Sequence, residues 1–150
     1  MERALYLLHP AAVHFPIVLL ALGAAAAGGR LFPRAPGWLD EAAAPLLWMG
    51  TASAWITLGL GLLAESNAPH VPAAWEVLAE HEELAWWTCG VFTVLSCLGA
   101  CAAKIGGMNV LMRRATALLW ALGLGLLFAT AMRGGRLVYD FGMAVGGLSP

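Results

Sequence analysis

The sequence predicts an all-α fold, a transmembrane antiparallel four-helix bundle forming a single membrane domain with both termini on the periplasmic side. Charged residues make up only 11% of the 150 residues, against roughly 25% in soluble domains, too few to coat a water-facing globule. Mean hydropathy is +0.77. Four apolar stretches, at residues 13–32, 42–64, 84–103 and 115–132, come close to the about 20 residues with which a helix crosses a hydrocarbon core of about 30 Å.

The first stretch resembles a signal peptide in its small-residue end, Ala24-Ala25-Ala26. Glu2 offsets Arg3, however, and His9, Pro10, His14 and Pro16 crowd its entry, so it reads as a retained helix rather than a cleaved leader. In the second stretch Ser53, Thr57 and Gly61 recur at helical spacing, small enough for a neighbouring helix to approach closely in lipid. Between the second and third, Pro69 and Pro72 punctuate the longest connection, and residues 71–83 are expected to begin the third helix outside the bilayer. Trp75, Trp86 and Trp87 suit an interfacial aromatic belt there. The fourth stretch is the shortest, extended by Leu111 and Met112 across Arg113 and Arg114, whose long side chains reach the interface. It carries Gly123 and Gly125 and ends at Arg133, where a tail of residues 133–150 begins.

Counting cations sets the orientation. The first and third connections hold Arg30, Arg34, Lys104, Arg113 and Arg114, whereas the central connection has no Lys or Arg and carries Glu65, Glu76, Glu80, Glu82 and Glu83. The odd-numbered connections are therefore expected in the cytoplasm of a bacterial inner membrane. With eight Lys and Arg against nine Asp and Glu there is no basic excess for nucleic acid. The middle of each span lacks Asp, Glu, Lys, Arg and His, which disfavours ion translocation. Cys89, Cys97 and Cys101 all lie in the third stretch, without a CxxC spacing, and the Cys97–Cys101 pair reads as a helix-packing face.

Four histidines, His9, His14, His70 and His81, fall at the outer ends of the spans. His14 enters an apolar run, where an ionisable group is costly and marks function, and His81 stands at similar depth at the head of the third span. Two imidazoles on facing helices satisfy the two axial positions of haem b iron. Arg133 and Arg136 are on the same side as candidate propionate anchors, with Gly134 and Gly135 expected to leave open space between them. Met132 or Met143 is a weaker axial candidate, and His9, about 140° around an ideal helix from His14, leaves a second haem open. A metal ion held by the same histidines with Glu82 or Glu83 is an alternative, although no HExxH-type spacing occurs.

The run His9-Pro10-Ala11-Ala12-Val13-His14-Phe15-Pro16-Ile17 resembles the HP-x-x-VHFP-I signature of a family of small four-helix prokaryotic membrane proteins, domain-of-unknown-function family 2231. Gly134-Gly135-Arg136-Leu137-Val138-Tyr139 resembles that family's GG-x-LVY motif, and His81 a histidine at the head of its third helix. Where the family often continues into histidine and glycine, this chain reads Asp140-Phe141-Gly142. The resemblance implies a membrane protein associated with cytochrome c modules and respiratory gene neighbourhoods.

The leading expectation is a haem b-carrying subunit of a larger respiratory complex, with His14 and His81 as ligands and Arg133 and Arg136 against the propionates. It would pass electrons between a quinone pool and a periplasmic partner such as a cytochrome c, with Trp86 and Trp87 beside the quinone. The competing expectations are a cofactor-free anchoring subunit, docked through its acidic outer loop, and a metal-handling membrane protein.

Overall fold

The computed structural model describes residues 8–29, 32–66, 71–106 and 109–143, and all regular structure among them is helical. The helices are α1 (His14–Gly29), α2 (Trp38–Glu65), α3 (Pro72–Lys104) and α4 (Val110–Tyr139), with a further helical stretch at residues 8–12 leading into α1. All four are long and apolar enough to cross a membrane, the first counted from Leu8 and the second from Glu41. Phe15, Ile56, Leu118 and Phe128 are each about two-thirds exposed, an apolar exterior that suits lipid rather than water.

The regular helix is interrupted at the α1 entry for a covalent reason. Pro16 has no N–H to give the Ala12 carbonyl, so the helix breaks at Val13, and the Thr57 hydroxyl of α2 donates to Ala12 instead, at 3.4 Å. Asn109 caps α4 by accepting the Met112 N–H at 2.9 Å, the usual role of a short polar side chain ahead of a helix. At the end of α3, Gly106 adopts a φ of +78°, which halts that helix.

One boundary agrees with the sequence expectation and one differs from it. α3 begins at Pro72 and runs for 33 residues, about 50 Å, so its first turns extend beyond the about 30 Å of a hydrocarbon core, as the prolines suggested. α4 does not stop at Arg133: it continues through Gly134 and Gly135 to Tyr139. Two glycines cost a helix roughly 1 kcal/mol each, and packing of this last segment onto α3 offsets that. Leu137 and Met143 are buried with Ala74 and Val77, with Phe141 and Leu78 packed on them. Gly142, at φ +64°, turns the chain back and donates to the Val138 carbonyl, while the Met143 N–H reaches Leu137.

Gly23 lies against Leu46 and Gly61 against His9, while Gly123 lies against Phe92 and Gly134 against His81, so α1 and α2, and likewise α3 and α4, pack in opposite directions. α1 packs along α2 and α3 along α4, with thinner contact where α2 meets α3 and α1 meets α4, so the molecule is two helical hairpins laid together. Leu20, Leu47, Phe92 and Leu95 form the core where they meet, and Phe92 packs edge to face on Trp120 with ring centres 5.7 Å apart. The Thr51 hydroxyl, bonded to the Leu47 carbonyl at 2.8 Å, also meets Ser96 Oγ at 3.0 Å. Trp55 Nε1 donates to Thr93 Oγ1 at 2.9 Å. These join α2 to α3. Cys97 and Cys101, expected as a packing face, are exposed instead. The buried stripe of α3 passes through Thr88, Phe92, Leu95 and Ala102, and those two cysteines lie off it.

Candidate histidine site

The residue brought to His81 is His9, not His14. The rings of His9 and His81 stand nearly perpendicular with centres 6.2 Å apart. His9 Nδ1 lies 3.0 Å from the Thr57 carbonyl oxygen on α2, and His81 Nδ1 lies 2.9 Å from the Thr130 carbonyl oxygen on α4. A carbonyl only accepts, so both Nδ1 atoms carry the proton and each Nε2 keeps its lone pair. In imidazole that lone pair leaves the ring roughly opposite the Nδ1–H. Each bare nitrogen therefore points away from the carbonyl its own ring binds, with His9 Nε2 3.7 Å from a Cβ placed on Gly61 and His81 Nε2 3.9 Å from one placed on Gly134.

Each imidazole occupies room left by a glycine. A Cβ on Gly61 would fall 3.0 Å from His9 Cε1, and one on Gly134 would fall 3.1 Å from His81 Cε1. Gly61 and Gly134 each follow the accepting threonine by four residues. A helical carbonyl points toward residue i+4, so glycine there opens that carbonyl to a ring approaching from the side. Near His81, the Thr88 hydroxyl donates to the Leu84 carbonyl at 2.7 Å and meets Thr130 Oγ1 at 3.1 Å, closing the α3–α4 contact beneath the ring.

Depth along the span drew attention to His14, but which face of the helix a residue occupies decides what it touches. The buried residues of α1 are Pro16, Leu20, Gly23 and Ala26, and extending that stripe backward by seven from Pro16 arrives at His9. His14 lies off the stripe and is exposed, its Nδ1 3.3 Å from Ala11 O within its own helix. The same arithmetic places His81 on the α3 stripe, seven residues after Ala74 and seven before Thr88. His70 lies outside the described residues.

Arg133 and Arg136 are on the histidine side but engaged with carboxylates. Arg133 Nε is 2.6 Å from Glu80 Oε2, with the two side chains 35% and 57% exposed. Arg136 Nε is 3.3 Å from Asp140 Oδ2 one turn on. Gly134, expected to leave open space, is filled by the His81 ring. Met132 faces outward, and Met143 belongs to the outer cluster with Ala74 and Val77. Glu80, Glu83, Leu84, Trp87 and Arg133 line an open cleft on the outside of the α3–α4 hairpin.

No three His, Cys, Asp or Glu side chains converge to hold a metal ion among the described residues. Glu82 instead accepts from Trp86 Nε1 at 3.2 Å. The tetrahedral reading with Glu82 or Glu83 thus lacks a donor set among those residues. A family model described as a predicted membrane protein (DUF2231) matches residues 7–147. No curated protein and no solved structure matches the chain.

Proposed function

Since the chain belongs to the DUF2231 family of predicted membrane proteins, we propose that it is a multi-pass subunit of a bacterial inner-membrane redox complex that binds one haem b between His9 and His81. The observation that carries this is the pair of Nδ1-anchored imidazoles from opposite hairpins, 6.2 Å apart. A metal lying between the two rings would take up both Nε2 lone pairs. Imidazoles sharing a metal have ring centres roughly 6 Å apart, because the metal–nitrogen bond is about 2.0 Å and the ring centre lies about 1 Å behind the nitrogen. Haem iron asks the protein for only two donors, the macrocycle supplying four.

The bound haem would supply one-electron exchange between ferric and ferrous iron. The Thr57 and Thr130 carbonyls hold each ring in one tautomer and make its Nε2 a stronger donor. Leu20, Phe92 and Leu95 keep the interior dry beneath the site. Arg133, paired with Glu80, would be the residue to hold a propionate, with Arg136 one turn beyond. The cleft of Leu84, Trp87, Glu80 and Glu83 suits a quinol head group, and the exposed Glu76, Glu80 and Glu83 suit a cationic periplasmic partner such as a cytochrome c. The cation count of the connections favours both termini, and hence this site, on the periplasmic side.

A reduced-minus-oxidised spectrum of the chain purified from haem-sufficient cells, with a pyridine haemochrome count, tests the reading. A b-type α band at one haem per chain is expected. A featureless spectrum from chain that also fails to take up added haemin overturns it in favour of an anchoring subunit.

A further inference from the structure

The two hairpins superimpose in their sequence offsets as well as their contacts. Counting from His9 along α1, the buried positions at seven, eleven and fourteen residues are Pro16, Leu20 and Gly23. Counting from His81 along α3, the same offsets give Thr88, Phe92 and Leu95, all buried. On the partner helices, Gly50, Thr57 and Gly61 of α2 match Gly123, Thr130 and Gly134 of α4, both reading G-x6-T-x3-G.

The contacts follow the same register. The histidine lies against the last glycine of its triplet and bonds the threonine carbonyl. Eleven residues on, a large side chain enters the space left by the first glycine. A Cβ on Gly50 would meet Leu20 Cδ2 at 2.6 Å, and one on Gly123 would meet Phe92 Cζ at 2.8 Å. Corresponding residues therefore make corresponding contacts at both ends of each hairpin.

We infer that the chain is a tandem duplication of one helical hairpin, and that Gly50–Thr57–Gly61 and Gly123–Thr130–Gly134 are equivalent cradles holding two half-sites around an approximate two-fold axis between His9 and His81. The threonine carbonyls and the glycines beside the rings are positioning groups. Their work is to present one bare Nε2 from each hairpin to a single metal centre on the axis. That last step rests on the haem reading; the duplicated cradle does not. The copies differ at the seventh position: Thr88 contributes a hydroxyl to Thr130, whereas Pro16 frees the Ala12 carbonyl for Thr57.

Nitrogen-15 NMR of the full-length, histidine-labelled chain, prepared without haem and assigned with His14→Gln and His70→Gln, reads the tautomers directly. Protonated Nδ1 and bare Nε2 are expected on both His9 and His81. Gly61→Ala is expected to release only His9 from this tautomer, and Gly134→Ala only His81, each to a similar extent. A proton on Nε2 of either ring in the unsubstituted chain overturns the equivalent cradles even if both glycine variants misfold, and so does a Gly61→Ala change that disturbs His81 as strongly as His9. Both tautomers as stated in a chain that never takes up haem would sink the haem reading and leave the duplicated half-sites standing.

Discussion

His9 and His81 face each other from opposite hairpins, ring centres 6.2 Å apart, each tied by Nδ1 to a backbone carbonyl of its own hairpin partner. Their position is fixed twice, once by the carbonyl and once by the glycine the ring covers.

Removal of either imidazole is expected to abolish haem uptake, whereas His14→Ala is expected to retain it. His9→Ala and His81→Ala should each lose the Soret band in the purified chain, while membrane insertion, read by protease protection, stays intact. A full Soret band in the His9 variant would remove that residue from the ligand set.

Phe92 is fully buried and packs edge to face on Trp120. Phe92→Ala is expected to cost about 3–5 kcal/mol, the range for emptying an aromatic site, as measured by denaturant titration in mixed micelles. Phe92→Leu, which refills part of the volume, should cost clearly less.

The hydrogen bond between Thr51 and Ser96, 3.0 Å, links α2 and α3 within the apolar layer. Interhelical hydrogen bonds in membrane proteins average about 0.6 kcal/mol in double-mutant cycles. A cycle of Thr51→Val and Ser96→Ala is expected to return a coupling of that size, and a value near zero would mean each hydroxyl is satisfied within its own helix.

Arg133 and Glu80 form a half-exposed ion pair, worth at most about 1 kcal/mol to stability after solvent screening. Arg133→Gln should leave unfolding within that margin yet weaken haem retention, seen as faster transfer to an external haem acceptor. Unchanged retention would exclude it as a propionate anchor.

Orientation has its own check. A reporter that is active only outside the cytoplasm, fused after Pro150, is expected to be active, and the same reporter inserted after Pro36 in the first connection to be silent. The reverse pattern would place the histidine side in the cytoplasm.

Membrane character and helix number were legible because they follow from hydropathy and length, which are additive along the chain. The early start of α3 was legible in Pro69 and Pro72 for the same local reason. The pairing of His9 with His81 was not, although its signal was present: Pro16, Leu20 and Gly23 trace a stripe that returns to His9 and passes His14 by. Reading that stripe requires knowing which of several apolar faces is buried, and in lipid every face of a span is apolar.

What the amino-acid sequence alone determined is that the chain carries four helices long and apolar enough to cross a membrane, because each must satisfy its own backbone hydrogen bonds once removed from water. Which histidine faces which, that Gly61 and Gly134 seat imidazoles rather than leave gaps, and that α4 continues through two glycines were decided only by the tertiary structure. Those outcomes depend on helix rotation about its own axis, which is set by side chains packing against a second helix and is not encoded in either helix by itself.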